Sequence, residues 1–408
     1  MQTPIMERRQ FLYTSGAAVI GSPLLFSRTE TPPPPDSPVA GEKILTRSVY
    51  EERIARAQEL MKERSMDFLI VTPSTNMSYL FGGKLWRSER LIAAVVPQSG
   101  EPEAIAPSFE KSLLERHLAF RRIHVWEDHE NPHALAREVL ETMGLSQKAV
   151  VGLEPTIYYQ TYRRLMQELP EARLVSGAVV LDELRMVKSP LELKLIREAV
   201  KITEASISAV HVSLKEGLTE LEVARMLSQE MQKRGSSGGG LVQFGPNSAV
   251  PHGEPQRTKL KNGMTVLIDA GSQVEGYTSD VTRTIFWGDV PTPRYREVFS
   301  IVLEAQQAAV DLAKPGVPCQ ELDRTARAVI SNAGLGRYFT HRLGHGMGMD
   351  GHEHPYLVEG NARPLEKGNV VTIEPGIYLP GEFGVRIEDD FVLTENGIES
   401  LSTRVSGS

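Results

Sequence analysis

An internal duplication constrains this chain more than any other feature. Leu260 to Gly271, LKNGMTVLIDAG, aligns without a gap on Leu365 to Gly376, LEKGNVVTIEPG, and sets Asp269 opposite Glu374. A second acid follows each of these, Asp280 and Glu388. The upstream segments repeat as well: Leu214 to Gly235 matches Ala313 to Gly334. Each copy reads as helix, turn, helix and then a strand pair. Two such halves would close on one cleft, with matched positions facing each other. The order of elements argues against a doubly wound parallel sheet in this part of the chain.

The acids need a physical reason. Asp269 and Glu374 each close an apolar run, where a carboxylate is costly to bury unless it is paired or bound to a metal. In the second strand of the first pair, alternation puts Asp280, Thr282 and Thr284 on one face. In its counterpart, Arg386, Glu388 and Asp390 share a face. Four carboxylates in one cleft repel one another, and cations resolve this most simply. With one cysteine, Cys319, in the chain, a multi-thiolate site is excluded. An oxygen-rich set with a histidine suits Mn²⁺, Co²⁺, Zn²⁺ or Fe²⁺.

Between the copies lies HRLGHGMGMDGHEHP, with His341, His345, His352 and His354; His252 stands earlier, in PHGE. So many histidines among glycines, which let backbone approach a site, point to a function. Their spacing does not say which of them binds metal.

The preceding residues read as a separate domain. Strands over Asp67 to Thr72, Leu91 to Val96 and Ala149 to Leu153 alternate with helices over Tyr50 to Arg64, His133 to Met143 and Tyr159 to Leu169. A further helix end and strand fall within Leu114 to Val125. This is an α/β layer domain over about 45–180. It has no phosphate loop. Tyr79, Phe81, Trp86, Arg87 and Arg90 fall near one loop and could either reach the cleft or pack as a loop or subunit contact. Leu184 to Ala199 is the hinge into the second domain, 184–402, where Ser189-Pro190 starts a helix. Residues 1–40 read as an export signal and linker: Arg8-Arg9 precede a short apolar run, in the manner of a twin-arginine signal, and Pro32 to Pro35 follow. That implies the twin-arginine machinery as a partner and a periplasmic or other extracytoplasmic location. A net charge of -7 gives no reason to expect nucleic acid.

These motifs resemble the metallopeptidase family of Xaa-Pro aminopeptidases, prolidases and methionine aminopeptidases. The resemblance covers roughly Ser48 to Glu399. It implies an α+β pita-bread catalytic domain, duplicated about a pseudo-twofold, behind a smaller creatinase-like α/β domain. It implies two divalent metal ions, with Mn²⁺ first among those above. Asp269 in VLIDAG is similar to the family's bidentate ligand of one metal. Asp280 in SDVTRT and Glu388 in VRIEDD resemble the two bridging carboxylates, and His345 in HRLGHGMG and Glu374 in TIEPG resemble the other metal's ligands. His252, His341 and His352 match substrate-contacting and supporting histidines, and Arg386 matches an arginine that supports the bridging glutamate. Glu374 is also a candidate to relay the water's proton. The implied activity is hydrolysis of Xaa-Pro bonds in short proline-containing peptides, by a homodimer or higher homo-oligomer. Two rivals remain at this level. One is a hydrolase or lyase of the same fold acting on a small non-peptide substrate. The other is a non-catalytic binding protein, which the complete set of five ligands argues against.

Overall fold

The computed structural model describes residues 44–117, 120 and 122–405. The twin-arginine reading of the N-terminal segment lies outside them. The first domain begins with α1 (Arg47–Glu63), β1 (Phe68–Val71), α2 (Thr75–Phe81), β2 (Ala93–Pro97) and β3 (Glu103–Pro107). It continues through α3 (Lys111–His117), β4 (Ile123–Trp126), α4 (Pro132–Thr142), β5 (Val150–Leu153), α5 (Tyr159–Glu168), β6 (Arg173–Ser176) and α6 (Ala178–Met186). Its six strands form one mixed sheet in the order β4-β3-β2-β1-β5-β6.

Alternation along β1 explains the layering. Leu69 and Val71 face a core shared with α1, α2 and α6, while Phe68 and Ile70 face a second core with α4 and α5. A strand buried on both faces is apolar throughout, which is why FLIV shows no polar alternation. Sequence periodicity does not reveal α2, β3 or β6. The helix α2 is one short segment, started by Ser74, whose hydroxyl accepts from Met77 N–H.

The second domain opens with α7 (Pro190–Ser213), whose first turn is closed by a reciprocal capping box between Ser189 and Glu192. Then follow α8 (Glu220–Lys233), β7 (Gly238–Phe244), β8 (Met264–Val274), β9 (Tyr277–Thr278) and β10 (Val281–Trp287). The second half has α9 (Pro293–Leu312), α10 (Cys319–Asn332), β11 (Gly344–Gly346), β12 (Glu353–Leu357), β13 (Val370–Ile373) and β14 (Gly376–Leu379). It ends with β15 (Phe383–Arg386), β16 (Asp389–Leu393) and β17 (Ile398–Ser400). Helices α8 and α10, at matched positions in the duplication, are the same length, 14 residues. Each half has its own core, α7 and α8 against β7 and β8, and α9 and α10 against β13, β14 and β15. No described helix is long and apolar enough to cross a membrane.

The halves are less alike than the sequence alignment implies. Strand β8 runs unbroken through Asp269, which pairs with Thr282 on β10 and Leu241 on β7. Its counterpart breaks at Glu374-Pro375 into β13 and β14, since Pro375 has no N–H to continue a ladder. The partner strand breaks at the same level: β15 ends at Arg386 and β16 starts at Asp389. Continuous alternation from Arg386 to Asp390 therefore does not hold, because Ile387 and Glu388 sit in the gap. There the backbone crosses to the other half, and Glu388 N–H donates to the Thr282 carbonyl at 3.2 Å. Each half also has a strand that the alignment of pairs missed. The glycine-rich run from Gly238 is part of β7, and a side chain at Gly240 would collide with the Asp269 carbonyl.

Candidate metal centre and active site

The two strand breaks, β8 and the segment between β11 and β12 converge on a cavity of about 520 Å³. It is lined by His252, Asp269, Asp280, His341, Arg342, His345, His352, Glu374, Arg386 and Glu388. All nine residues singled out from sequence are there, together with Arg342. His354 turns away toward Asp182 on α6, 3.8 Å off. Tyr79 and Phe81 are buried in the first domain's core, Trp86 is exposed, and Arg90 pairs with Asp128. None of these four, nor Arg87, lines the cavity.

Ligand-type atoms gather in overlapping groups within 4.8 Å: His345, Glu374 and Glu388 in one, Asp269, Asp280 and Glu388 in another. Glu388 belongs to both. A third group joins Asp280, His345 and His352. The Nε2 of His345 lies 3.3 Å from Glu374 and 3.8 Å from Asp280. Its Nδ1 is 3.0 Å from the Gly346 carbonyl. A carbonyl only accepts, so Nδ1 carries a proton; Nε2 faces the acids, donating to Glu374 when the ring is charged and offering its lone pair, as a metal ligand needs, when the ring is neutral.

The acids are in electrostatic conflict. Burial, then the charges of Asp269, Asp390 and Glu374, push the Asp280 carboxyl well above its ordinary range. Burial, then Asp280 and Glu374, do the same to Glu388. Burial also acts to raise Glu374, but the hydrogen bond and charge of His345, with His341 and Arg386, outweigh it and bring it down to about 2. Among the described residues, the guanidinium inside the cluster is that of Arg386, and it is committed. It donates to Asp269 at 2.6 Å, to Tyr378 at 2.8 Å and to Thr282 at 3.1 Å. Four carboxylates against one fixed cation leave a negative deficit that divalent ions would neutralise, and the oxygen-rich donor set with one imidazole fits them.

Supporting groups set this geometry. The Thr282 hydroxyl accepts from Arg386, so it donates to Glu388, at 2.5 Å. Tyr378, its hydroxyl pushed up to about 12 by burial, joins Arg386 to His341 Nε2 at 2.8 Å. His341 Nδ1 donates to the Arg342 carbonyl at 2.7 Å, so both ring nitrogens are engaged. The His352 ring lies 4.0 Å from that of His345, tilted at 50° to it. Burial, then His345 and Arg342, lower its pKa to about 4, which leaves it neutral near pH 7. The acids flanking His352 are tied to the first domain and the hinge. Asp350 accepts from Thr75 at 2.6 Å and Arg185 at 2.7 Å, and Glu353 from Lys188 at 2.7 Å and from Arg185. Sequence reasoning did not find Tyr378 or Arg342, and placed Thr282 on the right face without a role. The available signals were Tyr378's place in the EPGIY run and Arg342's beside His341.

Comparison with known proteins agrees with this geometry. Residues 194–395 match the model of metallopeptidase family M24, and residues 53–187 match the creatinase/prolidase N-terminal domain. The Bacillus subtilis protein YkvY, whose name gives only a provisional dipeptidase assignment, is 35% identical over 353 residues, 86% of this chain and 97% of the relative. The chain belongs to metallopeptidase family M24. Among solved structures it is similar to dipeptidase PepE from Mycobacterium ulcerans, with 35% identity, a TM-score of 0.82, and 88% and 96% of the two chains covered. The prolidase from Thermococcus sibiricus gives 34%, 0.80, and 87% and 97%. The second domain is thus the pita-bread fold of this family, and the chain is a peptidase of a family whose members imply divalent metal ions.

Proposed function

We propose that this M24 peptidase is a dinuclear exopeptidase that cleaves Xaa-Pro bonds in dipeptides and at the N-termini of short peptides. The observation that carries the reading is the pair of overlapping ligand groups that share Glu388. Asp269, Asp280, Glu374, Glu388 and His345 would hold two ions, Mn²⁺ being our first assignment. When bound, the ions supply Lewis acidity, which lowers the pKa of an attacking water and polarises the scissile carbonyl.

The chain's own residues do the rest. Glu374, ionised at neutral pH, takes the water's proton and relays it to the leaving nitrogen. His352 accepts at Nδ1 from Arg342, so its Nε2 carries the proton and is a donor toward the developing oxyanion. His252 is exposed at the cavity wall, where an incoming peptide meets it. Tyr378 and Arg386 keep His341 and Asp269 in place. The substrate's free ammonium is attracted to the acid-rich end, which favours an exopeptidase. An Xaa-Pro bond offers no amide hydrogen and a fixed backbone, so a dedicated pocket is needed to accept it. The relatives named as prolidases support that choice.

The test is a substrate panel on metal-loaded protein: Ala-Pro, Ala-Pro-Ala, Ala-Ala and small amides. Hydrolysis confined to the proline peptides is expected. Equal or faster turnover of Ala-Ala, or of the amides, would overturn the assignment. For location, we propose export through the Arg8-Arg9 segment.

A further inference from the structure

One buried amide lies behind the cavity wall, that of Gln306 on α9. The buried face of this helix is otherwise largely apolar, with Val298, Val302, Ala305 and Ala309. Gln306 is fully buried among them, and its Oε1 has no hydrogen-bond partner among the described residues. An amide placed this way costs free energy, so its presence in an apolar core has to be explained. Its nitrogen gives the explanation. Nε2 lies 2.9 Å from Asp389 Oδ2, 3.1 Å from the Ile373 carbonyl and 3.4 Å from the Ile387 carbonyl. All three accept, so the amide nitrogen and not its oxygen faces them. Ile373 precedes Glu374, while Ile387 and Asp389 flank Glu388. One side chain therefore grips the chain beside each acid of the second half, at both strand breaks. Asp389 is held at its other oxygen by Arg283 and by Ser402, each at 2.6 Å.

The duplication provides an internal comparison. The match of Leu214 to Gly235 with Ala313 to Gly334 extends upstream without a gap. It aligns the last residues of α7 and α9, Ser213 and Leu312, and sets Gln306 against Ile207. Ile207 is buried in the core of the first half. In that half β8 runs unbroken through Asp269, and the matched helix position carries an apolar side chain. The amide stands in the half whose corresponding strand breaks at its acid.

We propose that Gln306 is a positioning residue for the metal centre: it fixes Glu374 relative to Glu388 and so sets the geometry of the ion held by His345, Glu374 and Glu388. The proposal rests on the two-ion reading above. Gln306 does not line the cavity, and it acts through the backbone and Asp389 beside the two acids. It makes no such contact beside Asp269 or Asp280, so the ion on that side depends on it less.

The experiment is calorimetric titration of Mn²⁺ into chelator-treated wild type and Gln306→Met, with thermal melting of both metal-free proteins. Methionine keeps the length of the side chain and removes its N–H groups. Wild type is expected to bind two ions. Q306M should weaken one binding step by about 10- to 100-fold, the range for a group that orients a metal ligand, and the other by less than about threefold. The metal-free melting temperature should move by no more than about 4 °C, because an unpartnered oxygen leaves together with the donors. At saturating Mn²⁺ the kcat for Ala-Pro should return close to wild type, a recovery that a damaged core would not give. If Q306M does not fold, Gln306→Leu, apolar like Ile207, takes its place with the same expected outcome. A two-ion wild type whose variant binds both ions unchanged, or loses both steps equally, overturns the role of Gln306 and leaves the two-ion reading standing. A variant whose kcat stays low at saturating Mn²⁺ also overturns it. A wild type that binds a single ion refutes the two-ion reading and this proposal together.

Discussion

Thr282→Val is the sharpest probe of the groups that hold the acids. The hydroxyl is buried, accepts from Arg386 Nε at 3.1 Å and donates to Glu388 at 2.5 Å. Valine has nearly the same shape, so it opens no cavity, and the loss is confined to polar contacts. A hydrogen bond to a charged group contributes roughly 1.5–3 kcal/mol, so two would give about 3–6 kcal/mol at most. Burial and the neighbouring acids raise Glu388, which weakens its ionic character in the metal-free chain. That reduces the expectation to about 2–4 kcal/mol of stability lost without metal. With metal, a freed Glu388 should cost about 10- to 100-fold in affinity, as for other groups that orient a ligand. Urea denaturation of the metal-free variant and calorimetric titration with Mn²⁺ read the two effects. A variant within about 0.5 kcal/mol of wild type, with unchanged metal affinity, would refute the role given to this hydroxyl, since that is the scatter of neutral surface changes.

Three further outcomes follow from the structure. His352→Asn should lower turnover of Ala-Pro by about 10²-fold, the scale of one lost oxyanion donor, while metal content is unchanged; unaltered kcat removes its assigned role. His211, on α7, has a buried Nε2 without a hydrogen-bond partner among the described residues, and burial, with Arg283 nearby, lowers it from 6.5 to about 4. The unfolded chain therefore binds the extra proton between those values, so stability is complete above pH 6.5 and falls as the pH drops toward 4. His211→Asn should remove up to about 3 kcal/mol of that slope, and parallel denaturation curves at pH 7 and pH 4.5 would contradict it. Replacing Arg8 and Arg9 by lysine should retain the protein in the cytoplasm. The same cell fractionation as for the unaltered chain would count against twin-arginine export.

Much of the second domain was legible because duplication doubles every signal. Asp269 and Glu374 stand at matched positions, and a pair of acids at the ends of apolar runs is hard to explain by chance. What the alignment could not show is that Pro375 breaks one copy and not the other, and that Glu388 leaves its strand to meet Thr282. Such crossings between distant segments depend on tertiary packing, which no local period encodes. In the first domain β1 and β5 stood out as apolar runs, while β6, only partly buried, did not. Arg342 and Tyr378 escaped notice for a different reason. Their roles come from where their ends point, and neither an arginine in a loop nor a tyrosine on a short strand carries a sign of that.

The central claim is that two ions act together between Asp269, Asp280, His345, Glu374 and Glu388. Its most direct test is to titrate Mn²⁺ into chelator-treated protein while following Ala-Pro hydrolysis. Activity should be absent at first and rise to a plateau at two ions per chain. Hydrolysis that persists without metal, or saturates at a single ion, would contradict it.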